Sequence, residues 1–523
     1  MRVLLVYPEF PLTYWGLQHA LALAGKRASL PPLGLVTVAA HLPADWELRL
    51  VDLNVAALRQ EDLAWADLVF TGGMLVQAES IHEVLERARA AGKISVLGGP
   101  APSTSPSAFP DADVAFCGEL EGRVDALLAA IEAAPRGRQV VANDLQSPPE
   151  LQNDPLPRFD LLDLRSYASM SVQISRGCPF RCEFCDVIEI FGRRPRVKPA
   201  ARVLAELEAL HAQGYRGTVF VVDDNFIGNL REVRVLLPEL LAWQTERGFP
   251  FELYTEASLN LASEPEVMSA MVSAGFSSVF VGIETTSVEA LRAANKGQNL
   301  KLDPAAAVDA LTRAGLEVMA GFIVGFDSDG PEAFDAQARF LSRVPIPMAM
   351  VGILTALPGT ALARRLATEG RLRERASGDT FTRPNFEPRI DEGELLAGYA
   401  ALLRRLYDPD AYVRRCEAYL ARAPIPEHAR HDAEGFAILW RTVRALGIAG
   451  TWRGPFWRLI GAALRRSPRF LGWAITKAVQ GEHFRRYTEE NVLPRLGAAA
   501  AEVRSEAAAP KRAAPRARLV LVA

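Results

Sequence analysis

Apolar and polar positions alternate in two long blocks, each switching between short apolar runs and stretches of helical period. In the first block, runs at 3–7, 46–54, 68–72, 94–98 and 114–117 read as strands. Between them, 34–42 and 79–91 carry apolar residues at helical spacing, the second through Ile81, Val84, Leu85 and Ala88. Strands alternating with helices predict a parallel sheet covered on both faces, an α/β domain over 1–140. Glycine-rich turns follow the third and fourth strands, at Gly72-Gly73 and Gly98-Gly99, and Gly118-Glu119 follows the fifth. Ligands of such folds bind beyond the carboxyl ends of the strands, where these turns lie.

Residues 141–170 contain Pro148, Pro149, Pro155 and Pro157 and read as a linker, because proline removes backbone donors and stops helices and sheet interiors. A second alternating block covers 171–355. Its strands fall at 172–175, 218–223, 251–256, 278–284, 317–324 and 349–354. Its helices fall at 200–213, 230–247, 264–274, 288–294, 304–314 and 331–342. Gly214, Gly275 and Gly315 each stand just past a helix, where a left-handed cap is needed. Six strand–helix repeats predict a barrel or partial (β/α)6 barrel with its reactive groups at the carboxyl ends of the strands. Residues 356–496 read as a mostly helical domain. Within it, 452–484 mixes tryptophan, phenylalanine and leucine with many arginines. That composition suits a helix on a membrane surface, a lid over an apolar substrate, or a packed domain with a solvated basic face. From 497 to 523 the Ala, Arg, Glu and Pro content predicts a disordered tail.

Composition narrows the class without deciding it. Of the 523 residues, 49% are hydrophobic and 23% charged, the balance of a folded soluble protein. A net charge of −3 gives no field that favours nucleic acid. No apolar run of about 20 residues is present, so no membrane span is expected. The start, MRVLLVYPEF, reads as a strand rather than a signal peptide, and the cytoplasm is the expected location, with contact to a membrane surface as a further option. Three of five cysteines lie within eight residues, which points to a metal rather than to disulfides. Cys117 and Cys416 stand alone and read as ordinary thiols.

The cluster is Cys178-Pro179-Phe180-Arg181-Cys182-Glu183-Phe184-Cys185, a C-x3-C-x2-C spacing on the loop after the first strand of the second block. Thiolates suit iron–sulfur clusters or zinc. A structural zinc site closes with four ligands, and no fourth cysteine or histidine lies near; the next histidine in sequence, His211, is on an expected helix. Three ligands on a cubane leave one iron open, as a catalytic site requires.

With Phe184 as the aromatic before the last cysteine, the motif resembles that of the radical S-adenosylmethionine superfamily over about 171–355. The resemblance implies that Cys178, Cys182 and Cys185 hold a 4Fe–4S cluster whose open iron chelates S-adenosylmethionine. One electron, from a donor such as flavodoxin or ferredoxin, then yields a hydrogen-abstracting radical. It also implies cofactor contacts at later strand ends. These are Asp223 and Asp224, near the methionine amino group or capping the next helix; Glu256; Gly282 and Glu284 at the ribose; and Gly321, Ile323 and Gly325 in a G-x-I-x-G segment at the adenine. No general base is identifiable, and radical abstraction does not demand one.

A doubly wound domain ahead of such a core resembles the cobalamin-binding class. That resemblance places Gly72, Gly73, Gly98, Gly99, Gly118 and Glu119 against the corrin and its nucleotide tail. The D-x-H-x-x-G motif of many cobalamin domains is absent: Leu17 stands two before His19, and Ser80 two before His82. Tyr7-Pro8-Glu9-Phe10, Pro31-Pro32-Leu33-Gly34-Leu35, Gly192-Arg193-Arg194-Pro195-Arg196 and Asp223-Asp224-Asn225-Phe226 resemble the subgroup of hopanoid C-2 methylases. The function implied is a cobalamin-dependent radical C-methyltransferase acting on an apolar small molecule, a hopanoid or another lipid or polycycle. Two alternatives stay open: a non-methylating oxidative cyclisation or rearrangement with the same cofactors, and a non-enzymatic cobalamin sensor.

Overall fold

The computed structural model describes residues 1–374, 376–426, 433–448, 450 and 452–508. Its first sheet contains β1 (Arg2–Tyr7), β2 (Glu47–Asp52), β3 (Leu68–Gly72), β4 (Ile94–Gly98), β5 (Val114–Phe116) and β6 (Gln139–Val141). All pairs are parallel and the order is β2-β1-β3-β4-β5-β6. The chain starts near the middle, winds outward to β2, then reverses through β3, so the switch point lies between β1 and β3. Val3, Leu5, Phe70 and Val96 fill one side of this sheet, and Leu4, Val6, Val69 and Val84 the other. Two buried faces explain the continuous apolar runs. β6 was not expected; it adds an edge strand at the end of the first domain, reaching the first residue of the stretch read as a linker.

The second sheet contains β7 (Ser169–Val172), β10 (Gly217–Val221), β11 (Phe251–Ala257), β12 (Phe276–Glu284), β13 (Glu317–Val324) and β14 (Ala349–Ile353) in sequential parallel order. It is the expected six-stranded partial barrel. One boundary differs. The first strand ends at Val172, and Ser175–Arg176 (β8) instead pairs antiparallel with Arg196–Val197 (β9). Helix Leu230–Glu246 is capped by Asn229, whose side chain accepts from the Glu232 N–H, so neither Asp223 nor Asp224 is its cap. Gly214, Gly275 and Gly315 all have positive φ, as their places after helices required.

Carboxy-terminal helices Glu392–Leu406, Pro409–Arg422, Arg453–Arg466 and Leu471–Tyr487 share one apolar core with the partial barrel. Tyr399 and Tyr407 donate their hydroxyls to the Val351 and Ala349 carbonyls of β14, at 2.6 and 2.5 Å. The tail expected to lack structure from 497 is helical through Leu493–Ala508, with Leu496, Ala499 and Ala500 buried; the rest of that expectation, 509–523, lies outside the described residues. Among the described residues no helix is long and apolar enough to cross a membrane.

Candidate functional site

The cysteine loop leaves the sheet because a carboxylate takes over its backbone donors. Asp223, buried at the end of β10, accepts from the Ile174 and Ser175 N–H groups at 2.8 and 2.9 Å and from the Ser175 hydroxyl at 2.7 Å. Asp224 accepts from the Gly177 N–H at 2.8 Å. Burial pushes the two carboxyls up, to about 6 and about 7. Gly177 has φ 91°, and a Cβ there would lie 3.0 Å from the Gly192 carbonyl oxygen and 3.1 Å from that of Arg194. Only glycine lets the loop pass this close to the 192–194 backbone.

Beyond that turn stand Cys178, Cys182 and Cys185, all half-buried and without disulfide partners. Burial pushes the Cys178 and Cys185 thiols up, so loading a metal must release protons. The three sulfurs do not lie within 4.8 Å of one another. A tetrahedral zinc at ~2.3 Å would hold all three roughly 3.8 Å apart, an arrangement the loop does not present. Among the described residues, the potential ligands that do gather within 4.8 Å are His41, Glu121 and Asp154, and Glu121 there is already paired with Arg176.

Residues with no motif to announce them surround the cysteines. Gln298 Nε2 lies 3.6 Å from the Cys182 sulfur as donor. Lys296 pairs with Glu284 and stands 5.7 Å from the centre of the Phe184 ring. Arg365 spans Glu183 and Asp327, at 2.9 and 2.7 Å, so helix Ala361–Thr368 clamps the loop from the carboxy-terminal side. Sequence reading missed these positions because each contact bridges 38 to 182 residues, apart from the Lys296 pair, and no spacing rule reports them.

The strand ends expected to meet a cofactor divide into two sets. Glu256, Glu284, Gly321 and Ile323 line a cavity of ≈ 2390 Å³. Burial, with Asp224 and Asp223 behind it, pushes Glu256 up to about 8. Glu284 ends β12 with φ 65°, and a Cβ on Gly321 would sit 2.9 Å from the Phe280 ring. Gly282 and Gly325 shape the backbone behind this wall. Asn299 donates to the Gly282 carbonyl at 2.9 Å, and Asp329 accepts from the Gly325 N–H at 2.9 Å. Asp223 and Asp224 lie beside the cysteine loop, in the roles given above.

The same cavity is walled by the first domain at its switch point, through Phe10, Asn54, Met74 and Val76, and by Pro100 and Thr104 after β4. Gly72, Gly73, Gly98 and Gly99 pack on one another or on their own turn. A Cβ on Gly72 would lie 2.8 Å from the Gly98 oxygen, and one on Gly99 3.2 Å from the Gly73 nitrogen. Gly118, with φ 83°, turns the chain into Glu119. Glu119 is buried with both oxygens taken: Arg196 binds one at 2.6 Å and the other at 3.0 Å, and Arg176 binds the latter at 2.7 Å. Burial alone would raise Glu121, but Arg176 outweighs it and holds that carboxyl at about 2. These arginines sit on β8 and β9, flanking the cysteines, so the network ties the first domain to the cysteine loop.

Comparison with known proteins fits this arrangement. Residues 172–341 match the radical SAM superfamily model, and 360–493 match a domain of unknown function, DUF4070. An uncharacterized methyltransferase of Synechocystis sp. is 40% identical over 499 residues, covering 94% of this chain and 92% of that protein. Hopanoid C-2 methylase of Rhodopseudomonas palustris is 34% identical over 476 residues, 89% of each chain. The chain belongs to the radical S-adenosylmethionine family that contains hopanoid C-2 methylase. It is a radical S-adenosylmethionine enzyme. Its fold is that of the radical S-adenosylmethionine methyltransferase TsrM from Kitasatospora setae, solved with cobalamin and a [4Fe-4S] cluster bound; the TM-score is 0.56 at 17% identity, covering 89% of this chain and 99% of that one.

The donors present fit the family's groups. Three half-buried thiols stand on one loop without disulfide partners, a donor set that suits an iron–sulfur cluster, and Gly321 thins the cavity wall. The cavity exceeds the roughly 300–1,000 Å³ of a single-ligand pocket, leaving room for more than one small molecule.

Proposed function

We propose that this enzyme is a cobalamin-dependent radical methyltransferase acting on an unactivated carbon of an apolar, polycyclic or lipid-like molecule. The observation that carries the reading is the shared cavity, bounded by the switch point of one parallel sheet and the strand ends of another. A methyl donor on the first and a radical source on the second would meet the substrate in one enclosure. When bound, the cluster with S-adenosylmethionine supplies a hydrogen-abstracting radical, and cobalamin supplies the methyl group.

This chain's own residues bind and shield. Cys178, Cys182 and Cys185 hold the cluster as thiolates, on a loop pinned by Asp223, Asp224 and Gly177. Gly321 and Ile323 let S-adenosylmethionine approach the backbone closely, Gly282 and Gly325 shape the strand ends behind them, and Glu256 and Glu284 offer it polar contacts. The turns at Gly72-Gly73, Gly98-Gly99 and Gly118 face cobalamin, with Glu119 bracing the last turn rather than reaching the cofactor. Aromatic walls support an apolar substrate: Trp15 meets Phe280 edge-on at 5.0 Å, and Phe220 stacks on Tyr254 at 4.6 Å. The name of the Rhodopseudomonas relative supports a hopanoid as the first substrate to try.

The test is anaerobic reconstitution with iron, sulfide and cobalamin, then reaction with methyl-labelled S-adenosylmethionine, a strong reductant and an apolar lipid extract. Label in a lipid product together with 5′-deoxyadenosine is the expected result. Unlabelled product with 5′-deoxyadenosine would move the assignment to a non-methylating rearrangement, and absence of 5′-deoxyadenosine would leave only a sensor. The Cys178→Ala, Cys182→Ala, Cys185→Ala triple variant is expected to retain no cluster iron; retention at the level of the unaltered protein would refute the ligand assignment.

A further inference from the structure

Two carboxy-terminal helices expose side chains that the site does not use. Trp440 is 67% exposed, Ile448 59%, Trp457 50% and Leu464 45%. The first two stand on helix Ala433–Thr442 and its continuation Val443–Ile448, the others on helix Arg453–Arg466. Spacings of four bring Trp440, Arg444 and Ile448 to one outer stripe; spacings of four and seven do the same for Arg453, Trp457 and Leu464. Trp457 Nε1 donates to the Gly447 carbonyl at 3.0 Å, which sets its ring against the end of the first helix, next in sequence to Ile448, and ties the two helices together.

Charge is segregated there too. Residues 435–481 carry eight Arg and Lys and no Asp or Glu, in a chain with 59 basic and 62 acidic residues. Arg458 turns back to Glu417 and Asp410, whereas Arg444, Arg453 and Arg465 have no ion-pair partner among the described residues. Interleaved tryptophan, isoleucine, leucine and unpaired arginine is the composition of an interfacial helix, whose rings enter the headgroup layer while guanidinium groups meet lipid phosphates. The central cavity reaches this side. Ile425, Pro426, Arg469 and Phe470 line it, and Arg469 follows directly on the second helix.

We propose that this face docks on an anionic phospholipid bilayer and sets that end of the cavity against the lipid, so an apolar substrate enters without crossing water. The substrate half rests on the reading of an apolar substrate; the docking half stands on the face alone. Tryptophan and arginine also serve protein interfaces; lipid is the occupant assigned because the unpaired cations complement an anionic bilayer and lie on the side where Ile425, Pro426, Arg469 and Phe470 line the cavity.

The experiment is flotation of the full reconstituted chain with phosphatidylcholine vesicles, and with mixed phosphatidylcholine–phosphatidylglycerol vesicles. The protein is expected to float with the mixed vesicles, to be released by salt, and to bind the neutral ones weakly. Arg444→Glu with Arg465→Glu should lower vesicle affinity by about tenfold or more. Trp440→Ser with Trp457→Ser should lower it as well, each variant melting as the unaltered protein does; Arg444→Glu alone serves if a double variant misfolds. Protein left unbound by both vesicles, or variants that bind undiminished, would overturn the proposal. So would a concentration-dependent dimer, abolished by these substitutions and unaccompanied by vesicle binding, which would give the face to a second copy. Flotation reads no turnover, so failure of methyl transfer and failure of docking are distinguishable.

Discussion

Gly177 shows how one missing methyl group shapes the cysteine loop. With φ 91° and two carbonyl oxygens at 3.0 and 3.1 Å from an added Cβ, Gly177→Ala meets backbone strain of about 1–2 kcal/mol before any clash is counted. The loop must swing away from the 192–194 segment and spread the thiols. Iron and sulfide bound per chain after anaerobic reconstitution should fall several-fold while far-ultraviolet circular dichroism is unchanged; normal loading would refute the constraint. Glu256 gives a second residue-scale prediction. Its carboxyl is raised to about 8, chiefly by burial, so the folded cofactor-free protein binds that proton more tightly than the unfolded chain does. Its stabilising contribution is full below the ordinary carboxylate value and is lost as pH rises through about 8. The melting temperature of Glu256→Gln minus that of the unaltered protein should therefore grow over that interval and level off above it. A flat difference would show that the carboxyl is solvated. The cysteines were legible as residues by their spacing on one loop, and the wall positions Glu256, Glu284, Gly321 and Ile323 by the resemblance of their strand ends to the family's pattern. Glu119 was legible as a position but not as a partner: its arginines lie 57 and 77 residues away, and no local rule pairs them.

At the scale of elements, alternation of strand and helix made both sheets readable, because parallel strands buried on two faces leave long apolar runs. The departures have physical causes. β7 ends at Val172 because Asp223 captures the next backbone donors, and side-chain capture leaves no trace in an apolar pattern. β6 is three residues at an edge, held by register with β5 rather than by its own composition. Short connections between elements also carry the interdomain coupling. Glu119 follows β5, and Arg176 and Arg196 lie on β8 and β9, with side-chain exposures of 10% or less across the pairs. Removing one partner of a buried ion network leaves charges without compensation, which costs about 3–5 kcal/mol. Glu119→Gln should lower the melting temperature and speed proteolysis in the 141–170 connection. Glu119→Asp, which keeps the charge, should recover part of the loss. Equal stability of Glu119→Gln and the unaltered protein would mean the network is not what joins the first domain to the cysteine loop.

Across the whole molecule, the cavity holds its shape only if three stretches of chain stay together, and Tyr14 is where they meet. It leaves the first domain and is buried among Tyr407, Phe484 and Tyr487, with ring centres at 4.9, 6.0 and 4.7 Å. Thr488 gives its own hydroxyl hydrogen to the Phe484 carbonyl, so the Tyr14 hydroxyl is the donor in the 2.6 Å contact between them. Tyr407 in turn holds β14, which carries the anchor through to the partial barrel. The next residue, Trp15, meets Phe280 at the cavity wall, so anchor and wall are adjacent in the chain. Tyr14→Phe keeps the ring contacts and loses one hydrogen bond, about 1 kcal/mol, while Thr488 keeps its other partner. Tyr14→Ala opens a cavity in a packed aromatic cluster and should cost about 3–5 kcal/mol. A chain of several regions need not melt in one step, so the comparison belongs to midpoints and to protease cutting within residues 8–30 rather than to a single unfolding free energy. Tyr14→Ala should melt well below Tyr14→Phe and be cut faster in that segment. If the two variants behave alike, the amino-terminal segment is draped over the carboxy-terminal helices rather than anchored in them, and Trp15 is not a fixed part of the wall.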